Sequence, residues 1–487
     1  MSGESRPRRV LFVSYLFPPV GGVGVLRVAK FVKYLPESGW RSSVLTAANP
    51  SVPLFDESLL ADIPKGTIIR KAKTHEPGYA FKASVACASS TPSFTARGKT
   101  LIKDGLKRIG NALLQPDAQI LWYPSAVRAG VRLLRDEPHD AIVASGPPFT
   151  NLLVGAALSR KTGVPLVLDY RDEWDISNAY WENKRPGRLS SWVQRRMQRH
   201  AIRTAAAVVA TTPASAQTLG GIAIESGSHA KSTYIYNGFD PADFPAAADL
   251  SARTDYGNGT HLFRLSFAGT LWELTSIEPF VEGVKRLAEK APALAERLEI
   301  VLAGRRAGRQ EEFIDRLSGL PCKVVRLGYL AHRDATRLMM TSDSLLLLLS
   351  DVPHAGRVIS SKVFEYMAAR RPIFAVSPEG DQSGVLHGHP GATVCSPRDP
   401  EQIADALAAR LEEHRCGVSP CAANWDFSRF ERQTQTGQLA RLLDELVNHR
   451  AESVSSNDGK RVADDAVLRS TRAFVVKPQS GRDSQRT

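Results

Sequence analysis

Short, almost unbroken apolar runs recur along this chain, each followed by turn residues and then by apolar residues at helical spacing. A run without polar alternation suits a strand buried on both faces of a parallel sheet, where helices cover either side. The first run is Arg9 to Ser14 (RVLFVS), followed by the turn FPPVGGVGV and a helical pattern from Leu26 to Leu35. Residues 43–46, 141–145, 165–170 and 205–212 repeat the theme, with helical stretches such as Asn151 to Thr162 and Leu189 to Thr204 between them. A second series follows the loose segment Pro241 to Thr260 and runs through 262–269, 298–304, 323–330, 344–350, 372–377 and 392–396. Two successive series predict two Rossmann-like, doubly wound α/β domains with a ligand in the cleft at the carboxyl ends of their strands. The 487 residues suit that organisation. The expected divisions are an N-terminal domain over 1–245, a C-terminal domain over 246–425, a closing helix over 426–450 and a disordered tail over 451–487.

Charge and composition narrow the partners. Lys and Arg number 63 against 50 Asp and Glu, a net charge of +13 that favours phosphorylated ligands, anionic lipid or nucleic acid. No stacking platform or recognition-helix motif accompanies the charge, so no nucleic acid is expected. A membrane-spanning helix needs about 20 mainly apolar residues, and the longest leucine run here is Leu345 to Leu349. The start, MSGESRPRRV, lacks the apolar stretch and cleavage site of a secretory signal, so cytoplasmic residence is expected. The five cysteines are odd in number and unpaired in spacing, which predicts reduced, structural thiols and no metal site.

Four segments carry candidate chemistry. In Pro18 to Gly24, Gly21 and Gly22 lie between strand and helix, where backbone amides approach an anion closely; a tight turn serving packing alone is the other reading. In Ser361 to Met367, Ser360 or Ser361 can cap a helix. Lys362 then puts a cation in the first turn, against the dipole, which a bound anion would resolve. Glu365 can accept hydrogen bonds from sugar hydroxyls, and its distance of four residues from Ser361 excludes a capping box. A solvated Lys and Glu on a helix face remains the alternative. In Asp169 to Trp174, Arg171 and Asp172 suit acceptor hydroxyls or a donor phosphate and Trp174 a sugar ring, against an Arg–Asp pair that only fixes the loop. From Lys184 to Arg203, Leu189, Trp192, Val193 and Met197 recur at helical spacing beside Arg195, Arg196 and Arg199. This reads either as a basic amphipathic helix on anionic lipid or as an ordinary packed helix with a solvated face.

The segments FVSYLFPPVGGVGVLRVAKFVKYLPESGW, VLDYRDEW, YIYNGFDPADF, LSFAGTL, VLAG, GYL and SKVFEYMAARRPIFA occur together and in order. As a set they resemble the family 4 glycosyltransferases of the GT-B fold over about residues 9–430. The resemblance implies an acceptor-binding N-terminal domain and a nucleotide-sugar-binding C-terminal domain. It also implies a retaining transfer without an obligatory metal or other cofactor. Glu365 matches the second of two glutamates eight positions apart in the family, but position 357 holds Arg357. The family lysine after the first strand of this domain is absent from AGTLWELTSIEPF, so the expected diphosphate-binding groups are Lys362, Arg305 and Arg306, with Gly269, Thr270 and Ser361 beside them. Asp172 completes the expected catalytic set. The partners implied are a nucleotide-diphosphate sugar, a glycan or lipid-linked acceptor in polysaccharide biosynthesis and, peripherally, an anionic membrane surface. A nucleotide-sugar epimerase of the same fold and a nonenzymatic nucleotide-sugar-binding or scaffold protein are the competing readings.

Overall fold

The computed structural model describes residues 6–76, 78, 114–180, 186–245, 262–418 and 425–450. Two parallel sheets follow one another along the chain. The first contains β1 (Arg8–Val13), β2 (Trp40–Ala47), β3 (Ile68–Ala72), β4 (Ala141–Gly146), β5 (Leu166–Tyr170), β6 (Ala207–Ala210) and β7 (Lys231–Tyr234), ordered β3-β2-β1-β4-β5-β6-β7. The second contains β8 (Phe263–Ala268), β9 (Leu298–Ala303), β10 (Lys323–Leu327), β11 (Ser344–Leu348), β12 (Ile373–Val376) and β13 (Ala392–Cys395), ordered β10-β9-β8-β11-β12-β13. In each sheet the first strand has later strands on both sides, so the order reverses at β1/β4 and at β8/β11. Ligand crevices in open α/β sheets form outside the carboxyl ends at such points.

Helices cover the sheets: α1 (Val23–Tyr34), α2 (Tyr123–Asp136), α3 (Thr150–Thr162), α4 (Trp174–Tyr180), α5 (Arg188–Thr204) and α6 (Pro213–Glu225) belong to the first lobe. The second lobe carries α7 (Glu278–Lys290), α8 (Pro292–Ala295), α9 (Gln310–Asp315), α10 (His332–Met340), α11 (Lys362–Ala368), α12 (Asp381–Leu386) and α13 (Pro400–Arg415). The runs that lacked polar alternation are the fully buried strands β4, β5, β8, β9 and β11. The expected boundary at 245 adjoins 246–261, and the expected disordered tail is 451–487; both stretches lie outside the described residues. Residues up to Leu439 form one compact unit holding both sheets. The described start of the second unit, 440–450, is helical.

The linker leaving β7 is fixed by charge. On α1, Arg27 is 1% exposed and hydrogen-bonds both oxygens of Asp169, at 2.9 and 3.1 Å, and the carbonyl of Tyr236 at 2.9 Å. One turn on, the Lys30 ammonium meets Asp62, Asp240 and Asp243, each at 2.7 Å, and Lys33 meets Asp62 and Asp240 at 2.8 Å. Gly238 fits because a Cβ there would lie 2.2 Å from the carbonyl oxygen of Phe430, whose neighbours pair with the linker through Phe239 N–H to Phe430 O and Arg432 N–H to Phe239 O. Burial alone would raise the Asp240 carboxyl, but hydrogen bonds from Lys30 and Lys33 outweigh it and hold Asp240 well below the usual carboxylate range. Asp62 is lowered against its burial by the same two lysines. Asp243 is raised by burial and works in the opposite sense.

A depressed carboxylate stabilises the fold above its unfolded pKa of about 4 and loses that contribution as pH falls further. Urea unfolding at pH 7 and pH 3 should therefore show Asp240→Asn destabilised by about 2–5 kcal/mol at pH 7, since a buried partner charge is left short of a counterion. Acidification should cost the variant less than the wild type; equal acid losses in the two proteins would refute this assignment. Gly304, with φ +118°, supplies a second test, because a Cβ there would sit 1.9 Å from the carbonyl oxygen of Gly269. Gly304→Ala should lower stability by about 2–4 kcal/mol through strain and collision combined. A thermal midpoint equal to wild type would show that this close approach is not required.

Candidate active site

The carboxyl ends of β8 and β9 continue as paired backbone beyond the strands. Gly269 N–H donates to Ala303 O at 2.9 Å, Leu271 N–H to Arg305 O at 2.8 Å and Ala307 N–H to Leu271 O at 2.9 Å. The two backbones touch at Gly269 and Gly304, which explains Gly304 by packing. The pairing sets Thr270 and Arg305 side by side, both exposed, and the Arg305 side chain has no hydrogen bond or ion pair among the described residues.

Helix α11 approaches the same edge. It buries Val363, Phe364, Tyr366 and Met367, and the Tyr366 hydroxyl accepts a hydrogen bond from Ala268 N–H at 3.2 Å, registering the helix on β8. Ser360, not Ser361, supplies the hydroxyl at the helix start, accepting from Lys362 N–H at 3.3 Å. The Lys362 stem passes where Gly269 lacks a side chain, 3.5 Å from the position of a Cβ. Its ammonium lies 2.6 Å from Glu365 Oε2, so the cation in the first turn is met by the acid one turn along. Lys362, paired with Glu365, thus stands beside Gly269 at the carboxyl end of β8, with Ser361 preceding it in the chain and Thr270 and Arg305 on the two backbones that continue past the strands. Arg306 is directed elsewhere: it pairs with Glu311 and donates to the carbonyls of Leu327 at 2.8 Å and Gly304 at 3.3 Å, bracing β9 against β10.

The N-terminal loop is a braced turn. Gly21 N–H donates to Leu54 O at 3.1 Å, and Gly22 is exposed with φ +100° at the start of α1. Arg171 donates to the carbonyls of Gly24 and Pro147, tying the loop to the end of β4. It makes no ion pair with Asp172, whose side chain is reached by solvent while the surrounding protein raises its carboxyl by desolvation. Trp174 is 1% exposed and stacks on Phe149 with centroids 4.4 Å apart, its indole N–H donating to Gln194 at 2.9 Å. The tryptophan is core, which removes the expected sugar-stacking role.

The lobes meet through residues the sequence did not single out as partners. Glu173 accepts from Ser215 Oγ at 2.6 Å and pairs with Arg357 at 3.2 Å; Ala214 N–H donates to Asp381 at 3.0 Å; and the Tyr180 hydroxyl donates to Pro353 O. Glu173 was visible only as the neighbour of Asp172, and Arg357 only as a departure from a pattern. A cavity of about 550 Å³ opens beside this contact, lined by Asn178, Gln194 and Gln198 of the first lobe and Glu273 and His354 of the second. Helix α5 buries Gln194, Gln198, Ala201 and Ile202 and leaves Leu189 72% and Trp192 53% exposed, with Arg196 over the Trp192 ring at 5.0 Å.

The described residues include no helix long and apolar enough to cross a membrane. The one acidic trio among them close enough to share a cation is Asp62, Asp240 and Asp243, and all three already bond Lys30.

Comparison with known proteins agrees with this architecture. The family described as Glycosyl transferase 4-like domain matches residues 21–238, and the family described as Glycosyl transferases group 1 matches 264–413. None of the curated proteins matches the chain. Among solved structures, Anabaena HepE in complex with UDP-glucose is similar with a TM-score of 0.55 and 19% identity, over 90% of this chain and 99% of that one. A UDP-forming α,α-trehalose-phosphate synthase from Burkholderia vietnamiensis has a TM-score of 0.51 and 14% identity, over 92% and 100%. At these identities the likeness concerns the fold. With both sheets doubly wound and both family matches in register with them, the chain belongs to the family 4 glycosyltransferases of the GT-B fold.

Proposed function

We propose that this glycosyltransferase moves a sugar from a nucleotide-diphosphate donor to a glycan or lipid-linked acceptor in polysaccharide biosynthesis, with retention at the anomeric carbon. The observation that carries the reading is the Lys362–Glu365 pair beside Gly269, at the carboxyl end of β8 where the second sheet reverses order, with the unpaired Arg305 on the backbone that continues β9 past the same end. A UDP-linked sugar is the first candidate, because the similar HepE structure was solved with UDP-glucose.

Leaving of the diphosphate builds negative charge on its oxygens and oxocarbenium character on the sugar. Arg305 and Lys362 stabilise the former, and their effect grows as the cleft excludes water. Before the donor arrives Glu365 neutralises the Lys362 ammonium; once it is bound, Lys362 is shared with the phosphate while Glu365 accepts from a ribose hydroxyl. The bond from the anomeric carbon to the phosphate oxygen breaks as a bond to the acceptor oxygen forms on the same face. The acceptor proton passes to a phosphate oxygen. Asp172, on the first lobe, orients the acceptor hydroxyls. This assignment gives charge neutralisation to side chains and calls on no metal.

The acceptor side is read from α5. Its exposed Leu189 and Trp192 stand among Arg188, Arg195, Arg196 and Arg199, all exposed, a surface suited to anionic lipid at about 1 kcal/mol per cation. Work at the cytoplasmic face of a membrane follows from this reading.

Thermal-shift screening with UDP- and GDP-sugars tests the donor, since a ligand that binds only the folded state raises the midpoint. Arg305→Ala, Lys362→Ala and Glu365→Gln should each reduce donor affinity or turnover about tenfold to a hundredfold, the range for a charged hydrogen bond. Arg306→Ala should affect stability more than turnover. Unchanged kinetics in the first three variants would sink the site. Vesicles of phosphatidylglycerol should bind the wild type more tightly than phosphatidylcholine, with binding reduced in Trp192→Ala and weakened by salt; equal binding to both lipids would remove the membrane reading.

A further inference from the structure

Position 357 is one of two places where the chain departs from the family pattern, and its arginine is engaged across the cleft. Arg357 Nη2 lies 3.2 Å from Glu173 Oε2, and Nη1 donates to Thr218 Oγ1 at 2.9 Å. Its carbonyl accepts from the hydroxyls of Thr212 at 2.9 Å and Ser215 at 3.3 Å. Ser215 Oγ also reaches Glu173 Oε1 at 2.6 Å, so one hydroxyl joins both halves of the ion pair. Tyr180 fixes the far end of the same loop at Pro353 O. The segment gripped in this way, 353–357, runs directly into Ser361, Lys362 and Glu365.

Signs at the two positions are coupled. The Glu173 side chain is 5% exposed, so it needs a cation within reach. A glutamate at 357 would face it as a second carboxylate, and like charges at that separation repel. An arginine there satisfies Glu173 and surrenders the acidic contact to the donor sugar. One guanidinium N–H, Nε, has no acceptor among the described residues, which offsets part of the stabilisation from the ion pair.

We infer that Arg357 and Glu173 form an interlobe latch through which closure of the lobes sets the shape of the donor loop, making Arg357 a positioning residue and not a sugar contact. The latch rests on the donor-site reading above for its role in transfer, but its existence is independent of any ligand.

The test uses the full-length chain with Arg357→Glu, Arg357→Gln and the exchange Glu173→Arg/Arg357→Glu. Without ligand, Arg357→Glu should enlarge the radius of gyration in solution scattering. It should also speed amide hydrogen exchange in 212–216 and 353–361 about tenfold, with a smaller effect in Arg357→Gln and recovery in the exchanged pair. UDP alone, titrated by calorimetry, should bind all variants within about threefold of wild type, while turnover with the donor found by screening falls about fivefold or more in Arg357→Glu. Unchanged scattering and exchange in both single variants, or no recovery in a folded exchanged pair, overturns the latch. Turnover raised by Arg357→Glu also overturns it, by showing that the position serves the sugar directly. If UDP fails to bind the wild type, the donor reading falls, and scattering and exchange still decide the latch.

Discussion

A cation can be buried only where acceptors meet it, and helix α1 imposes that condition at Arg27 and Lys30, with the half-buried Lys33 beside them. Arg27, Lys30 and Lys33 project from one face at spacings of three residues, and the acids that answer them come from β5, from the segment before β3 and from the linker after β7. The linker is therefore fixed by electrostatics as much as by packing. Replacing such pairs with apolar residues can be neutral or stabilising, so their value here lies in specifying one linker geometry.

The same accounting separates structural cations from those open to a ligand. Arg306, Arg264 and Arg171 resemble Arg305 in the sequence, yet each is directed to protein acceptors: Arg306 to Glu311 and Leu327 O, Arg264 to Glu299 at 2.7 Å, Arg171 to two carbonyls. Arg305 has no such partner among the described residues and is exposed just past the carboxyl end of β9. In the proposed donor site Arg305 has no internal partner to give up, whereas Lys362 has to share its ammonium between the phosphate and Glu365.

Most of the fold was legible because buried parallel strands leave unbroken apolar runs. Strands β3 and β7 were not, and their burial explains why: each lies at a sheet edge with half-exposed residues, IIRKA and KSTY, and carries no apolar run. At the site, Lys362 and Glu365 could be found from one short segment because they share a helix turn. The choice of Arg305 over Arg306 could not, since adjacent arginines at a strand end point to opposite sides and only the fold says which side holds Glu311. Trp174 misled for a related reason. A tryptophan after a strand end suits sugar stacking or core packing equally, until Phe149 is seen to cover its face. The pairing of Glu173 with Arg357 spans the two lobes and has no local signature at all.

Helix α5 reverses the usual relation between polarity and burial. Leu189, Trp192, Val193 and Met197 at helical spacing read either as a packed stripe or as a lipid-facing one, and in the structure Leu189 and Trp192 face outward while two glutamines face inward. The inward glutamines are satisfied: Gln194 accepts from Trp174 and Asn178 and donates to Gln115, so no polar penalty forces them out. In water alone the outward face leaves two large apolar side chains exposed among arginines, with the Arg196 contact on the Trp192 ring as a small compensation. At an anionic interface the same arrangement is favourable twice over, by apolar burial and by charge. Because Gln194 and Gln198 also line the cavity beside the lobe contact, one helix presents a lipid-compatible surface on its outer side and hydrogen-bonding amides on its inner side. On the proposed function, that geometry would serve an acceptor whose lipid remains in the membrane while its sugar end enters the cleft.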